Sequence, residues 1–178
     1  MQRAGRHDLA PPLDAQRIGL EARTGPDDHL SLKLWLRLLA CSTDIETEIR
    51  RRLRAGHGMT LARFDYLAQL ERQPEGLRMS ALSRCLMVTG GNVTGLTAEL
   101  EKAGWVRRDA EPDDRRSWRV TLTPAGRKVF DTVAAEHERW VVELLGGIGD
   151  DERRDLFALL GRLRAQLSAR RRPQAQAA

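Results

Sequence analysis

The chain has 178 residues, 31% of them charged and 41% hydrophobic, as expected of a soluble globular protein with one ordinary domain or two small layers sharing a core. No apolar run approaches the ~18–20 residues that span a bilayer, and the first residues lack the apolar stretch of a secretory signal, so the expected location is the cytoplasm. A net charge of +5 favours a polyanionic partner, the alternative being a merely solvated basic surface.

Residues 1–28 carry Pro11, Pro12 and Pro26 with little periodicity, which predicts a flexible tail with a short helix near 14–23. From His29 the pattern changes. Leu34, Leu38, Cys41, Ile45, Ile49 and Leu53 recur every three or four residues and predict a long amphipathic helix ending near Gly56-His57-Gly58. Thr60 suits an N-cap, and Leu61, Phe64, Leu67, Ala68 and Leu70 carry a second helix to about Glu71. After the loop Pro74-Glu75-Gly76, a short third helix starts near Ser80 with Leu82, Cys85 and Leu86 inward. Met87 to Gly91 is a break. A fourth helix follows from about Gly91 to Ala103, with Val93, Leu96 and Leu100 inward and Gly104 as its terminating glycine.

The next segment is extended. Trp105–Arg108 and Ser117–Leu122 suit strands, and "DAEPDDRR" between them suits a long hairpin loop. Thr123-Pro124 starts a helix, with Thr as cap and Pro as first residue, that runs through Val129, Phe130, Val133, Trp140, Val141 and Leu144. A last helix begins at about Asp150 with Leu156, Leu159, Leu160, Leu163 and Leu167 on one side, before an Arg-rich tail. There is no internal repeat.

One motif invites a nucleotide-binding reading. "GGNVTGLT", from Gly90, matches G-x-x-x-x-G-x-T, but Leu96 stands where a phosphate-cradling loop needs lysine, and a helix rather than a buried strand precedes it. The context is instead helix–turn–helix followed by a β-hairpin: a winged helix, whose second helix enters the DNA major groove N-terminus first. Its outward positions are Gly91, Asn92, Thr94, Gly95 and Ala98, just after Thr89. They are small, so the helix axis can approach the base edges. Asn92 offers paired donor and acceptor groups to adenine, and Thr94 can hydrogen-bond or pack on a thymine methyl. Gly90 suits the turn. At the hairpin tip, Arg115 and Arg116 suit a narrow minor groove, with Asp114, helped by Arg108 on the opposing strand, to hold a guanidinium in place.

No metal-spaced cluster or nucleophile–base pair points to an enzyme, since His7, His29, His57 and His137 are dispersed, and no cofactor is expected. Cys41 and Cys85 lack C-x-x-C spacing and lie in apolar helical patterns, where buried thiols are inert.

"LSRCLMVTGGNVTGLTAELEKAGWVRR" and "DDRRSWRVTLTPAG" resemble the core of the MarR family of bacterial transcription regulators. The D-x-R wing followed by L-T-x-x-G is matched by Asp114, Arg116, Leu122, Thr123 and Gly126, and the resemblance covers about residues 30–168. Two departures are Trp105, where the family usually has an aliphatic residue, and Gly95, near where many members place a polar side chain.

The resemblance implies a mainly α fold with a small β-hairpin wing, a winged helix-turn-helix core plus a helical dimerisation region. The division is then a tail over 1–28, dimerisation helices over 29–58 and 124–170, the DNA-binding region over 59–123 and a tail over 171–178. It implies a homodimer on double-stranded DNA, with two recognition helices about 34–36 Å apart on a pseudo-palindrome. Arg78 and Arg84 are phosphate contacts in that reading. It further implies a repressor released by a small aromatic acid or an aromatic acyl-CoA thioester, held in a crevice where Trp35, Arg37, His57, Arg63 and Tyr66 are the candidate lining. Two alternatives stay open: a redox-sensing repressor using Cys41, which a peroxide response surviving Cys41→Ala eliminates, and a winged-helix adaptor without ligand response.

Overall fold

A computed structural model describes residues 30–86, 90–111 and 114–175. The expected helix near 14–23 and Thr89 lie outside them. The elements run α1 (Leu30–His57), α2 (Leu61–Glu71), β1 (Leu77–Arg78), α3 (Met79–Cys85), α4 (Gly90–Lys102), β2 (Val106–Glu111), β3 (Asp114–Leu122), α5 (Pro124–Leu144) and α6 (Asp150–Ala175). The fold is mainly helical with one small antiparallel sheet, in the order β1-β3-β2. The chain divides into two compact units, 1–133 and 134–178.

The caps form where the sequence places them. Thr60 accepts a hydrogen bond from the Arg63 amide at the start of α2, and Thr123 accepts one of 3.0 Å from the Gly126 amide at the start of α5. After α4, Gly104 has φ +74°, and the chain closes with Trp105 N–H donating to the Leu100 carbonyl and Gly104 N–H to that of Glu101. A left-handed residue with this bond pair is a Schellman stop, and glycine occupies it without strain.

The core of the first unit is drawn from its helices and from the two long strands. Leu53 of α1, Tyr66, Leu67 and Leu70 of α2, Leu82 of α3, Val93 and Leu100 of α4, and Val120 of β3 are almost completely buried, with Met59 beside them. Phe64 and Phe130 stack with ring centroids 5.7 Å apart, joining α2 to α5. Only Ile49 and Leu53 of α1 are buried; the apolar stripe upstream is not, and Leu30, Leu34 and Trp35 are exposed.

The second unit holds the end of α5 and α6. The Gly149 amide donates to the Glu152 carboxylate at 2.7 Å, and Asp150, Asp151 and Glu152 crowd the first turn, where the helix dipole favours negative charge. Leu156, Phe157, Leu159, Leu160, Leu163 and Leu167 of α6 are all exposed. The helix runs to Ala175, past the point where a tail was expected to begin.

Three elements differ from expectation. β1 is absent from the sequence reading because two residues carry no period; it exists only by pairing Leu77 with Val120 and Arg78 with Arg119. The hairpin is tighter than expected, since β2 continues to Glu111 and β3 begins at Asp114. Cross-strand pairing and ion pairs sustain these charged residues in strands, where propensity alone disfavours them. Gly90 belongs to the first turn of α4 and not to the preceding turn. Burial of one face of α4 prevails over the poor helix propensity of its glycines.

Candidate nucleic-acid interface

α4 is built with one dry face and one open face. Val93, Thr97 and Leu100, at helical spacing, are buried to within 1% of complete. Asn92, Thr94, Gly95 and Ala98 are exposed on the other side. A Cβ at Gly95 would meet open space, so nothing inside the chain requires a glycine there. Ion pairs hold the far end of the helix: Arg63 of α2 to Glu99 at 2.8 Å, and Arg108 of β2 to Glu101 at 3.4 Å.

Thr97 is a buried polar residue that the sequence did not single out. Leu96 was expected inward, yet Leu96 is half-buried and Thr97 is completely buried. The Thr97 hydroxyl donates to the Val93 carbonyl at 2.7 Å and meets the Tyr66 hydroxyl at 2.6 Å. Threonine bonding back to the carbonyl four residues earlier is a standard way to satisfy it inside a helix, and i, i+4, i+7 spacing from Val93 was the signal available.

The wing rises from this base. Val106 pairs with Leu122, Arg108 with Val120, Ala110 with Trp118 and Glu111 with Asp114, with a register irregularity between Ala110 and Glu111. The backbone of Asp114, Arg115 and Arg116 therefore lies in β3 at the far end of the hairpin. The Arg108 guanidinium lies 4.9 Å over the Trp118 ring, a cation–π contact, besides its pair with Glu101.

A second feature missed in the sequence is the carboxylate of Glu111. It is 6% exposed and holds two guanidiniums, Arg119 at 2.9 Å and Arg78 at 3.3 Å. Arg119 also donates to the backbone carbonyl of Gly76 at 3.1 Å. This cluster ties the wing to the β1–α3 junction. Arg78, expected at a phosphate, is thus half-exposed and already engaged, while Arg84 is exposed in the last turn of α3.

The L-T-x-x-G motif acts as a clasp. The Thr123 hydroxyl donates to the Gly104 carbonyl at 2.7 Å, and its amide donates to that of Trp105 at 3.0 Å. A side chain at Gly126 would collide with the Trp105 carbonyl, so this position admits only glycine. The clasp uses the backbone of Trp105, which explains why an aromatic residue is tolerated there.

The five expected ligand-lining residues lie on α1 and α2. Trp35 and Arg37 are exposed on α1, His57 is half-buried at its end, and Arg63 pairs with Glu99. Tyr66 lies deeper than expected, fully buried with its hydroxyl on Thr97. A crevice of about 250 Å³ lies elsewhere, lined by Glu46, Arg50, Leu61, Ala62, Asp65, Leu86 and Leu96. Cys41 and Cys85, expected to be buried, are both exposed among the described residues. Among the described residues there is no helix long and apolar enough to cross a membrane.

The comparisons agree with this geometry. Residues 57–117 match the model of the MarR family. A solved structure of a MarR family transcriptional regulator from Silicibacter pomeroyi is 34% identical, covers 77% of this chain and 94% of its own, and superposes with a TM-score of 0.66. The chain belongs to the MarR family. The MarR regulator Sco3205 from Streptomyces coelicolor, solved in complex with DNA, is 26% identical and has a TM-score of 0.68 over 80% of this chain and 91% of its own. The transcriptional regulator PecS from Dickeya dadantii is 35% identical over 58% of this chain, a stretch spanning 64% of the relative's own length. This MarR-type chain is accordingly a transcriptional regulator that binds DNA, and its winged helix is α2 to β3.

Proposed function

We propose that this MarR-type regulator is a homodimeric repressor that reads a pseudo-palindromic operator through α4 and the wing and leaves it when a small aromatic acid binds. The observation that carries the DNA-reading part is the open face of α4, where Asn92, Thr94, Gly95 and Ala98 present only small side chains. The free amides at the start of such a helix face phosphates, and Asn92 can pair with adenine in the major groove. Arg84, and Arg78 where Glu111 releases it, supply phosphate contacts beside α3; Arg115 and Arg116 enter the minor groove from the wing. Thr89, Gly91 and Asp114 complete this surface. The protein uses no catalytic group in this role.

Apolar side chains on α1 and α6 support the dimer. Monomeric proteins rarely expose contiguous apolar patches of more than a few hundred Å², and α6 exposes five leucines and Phe157. For the effector, the crevice beside α4 is small against the ~300–1,000 Å³ of typical ligand pockets. Its 250 Å³ suits a one-ring ligand better than a CoA thioester, and Arg50 of its lining, paired with Glu46, is the guanidinium a carboxylate would have to win. Trp35, Arg37 and His57 line a larger site only if the partner's helices close over α1.

The test is fluorescence-anisotropy titration against DNA upstream of the protein's own gene and against unrelated DNA, at several salt concentrations. Selective binding with a steep salt slope is expected, each neutralised phosphate adding about 0.9 to the log–log slope. Arg116→Ala weakens operator binding by at least ~1 kcal/mol if the wing reads DNA. An unchanged affinity for that variant favours the adaptor reading.

A further inference from the structure

α4 has little of its own to hold it in shape. Three of its first six residues are glycine, and its first turn has no acidic residue to meet the helix dipole. Yet its N-terminal half is the part that must present Asn92 and Thr94 at a defined angle. That definition has to come from a neighbouring element.

Tyr66 of α2 supplies a buried polar connection to that half of α4. Its ring is completely buried, as is Thr97. The two hydroxyls are 2.6 Å apart, and the Val93 carbonyl is 2.7 Å from the Thr97 oxygen. A hydroxyl has a single proton to give. The Thr97 proton goes to the carbonyl, a far better acceptor than the Met79 sulfur at 3.5 Å. Tyr66 is therefore the donor in its bond to Thr97. Burial pushes the Tyr66 hydroxyl up to about 12, so it keeps that proton throughout the neutral range. The chain of bonds runs from α2 through Thr97 and ends on the carbonyl of the peptide joining Val93 to Thr94, with exposed Asn92 and Thr94 on either side.

We propose that Tyr66 and Thr97 are positioning residues for DNA sequence recognition: their hydroxyl relay sets the rotation and depth of the N-terminal half of α4, so that selectivity depends on it while backbone affinity does not. The inference rests on α4 reading bases. A buried tyrosine that merely satisfies its hydroxyl would affect stability alone. The arginine phosphate contacts come from other elements and do not require α4 to be held to a fraction of an ångström.

The experiment measures affinity for a selected operator and for scrambled DNA, with thermal melting, for wild type, Tyr66→Phe, Thr97→Val and Thr97→Ser. The hydroxyl deletions, Tyr66→Phe and Thr97→Val, are expected to lower operator affinity about tenfold, the loss expected from one well-placed base contact. Scrambled-DNA affinity stays within about twofold and the salt slope is unchanged. Thr97→Ser keeps the hydroxyl and is expected to keep wild-type selectivity. If Tyr66→Phe fails to melt cooperatively, the contrast between Thr97→Val and Thr97→Ser decides. Full selectivity in both hydroxyl deletions, even with lowered melting temperatures, overturns this inference alone. A wild-type protein that selects no sequence overturns the base-reading proposal and this inference with it.

Discussion

Glu111 illustrates how one side chain decides the geometry of a wing. A carboxylate 6% exposed would be prohibitive without partners, and Arg78 and Arg119 supply them from a second strand and from its own pairing strand. Both guanidiniums are 37–51% exposed, so solvent screens part of the attraction. Glu111→Ala should lower stability by about 1–2 kcal/mol, below the upper range for charged hydrogen bonds, measured by urea unfolding. Gly95 presents the opposite case, because nothing in the fold requires it. Gly95→Ala should stabilise the protein by up to ~1 kcal/mol through helix propensity. If the groove needs a bare backbone there, the same variant binds operator less tightly in the anisotropy assay. Stability gained with binding unchanged means that Gly95 does not face the bases.

Helix α1 holds its C-terminal half together with its own charges. Glu48 lies 2.7 Å from Arg51 and 2.6 Å from Arg52, and hydrogen bonds from Arg51 and then Arg52 pull its carboxyl down to about 2. A lowered folded-state value means that the contribution is present above the ordinary carboxylate range and is lost as pH falls. The difference in melting temperature between wild type and Glu48→Gln should therefore be constant near neutrality. It should shrink from about pH 4.5 downward and be gone only below pH 2. A difference that is undiminished at pH 2 assigns the effect to something other than this carboxylate. The boundaries of α1, α2 and α5 were legible because caps and periodicity are local: Thr60 and Thr123 act on amides three residues away. β1 was not, because its strand partners lie about forty residues on in the chain, and the extended arms of the wing were not, because Glu111 is buried only with the help of Arg78, 33 residues away.

At the level of the molecule, the exposed apolar faces are the feature that a lone chain leaves unexplained. In α6 the leucines recur at helical spacing, yet all of them face solvent, as do Leu30, Leu34 and Trp35 of α1. Under the proposed dimer, these faces meet a second copy. Replacing Leu159 and Leu163 together by Glu should shift sedimentation to the monomer at concentrations where wild type is dimeric, and operator affinity should fall with it, since two half-sites are then no longer bound together. A wild type that sediments as a monomer at all concentrations removes the dimer and its spaced half-sites from the proposal.

The order of the helices and of the hairpin strands, the helix caps, the winged-helix identity and the outward Asn92, Thr94, Gly95 and Ala98 of α4 were determined by the sequence, since each follows from residue types at local spacing. Tertiary structure decided which polar groups are buried. Thr97 and Glu111 look like surface residues in a linear reading. They are interior because an α2 tyrosine and two distant arginines satisfy them, and a buried polar group is stable only when a partner, often remote in sequence, completes its hydrogen bonds. The crevice beside α4 has the same origin, since it exists only where α1, α2, α3 and α4 converge.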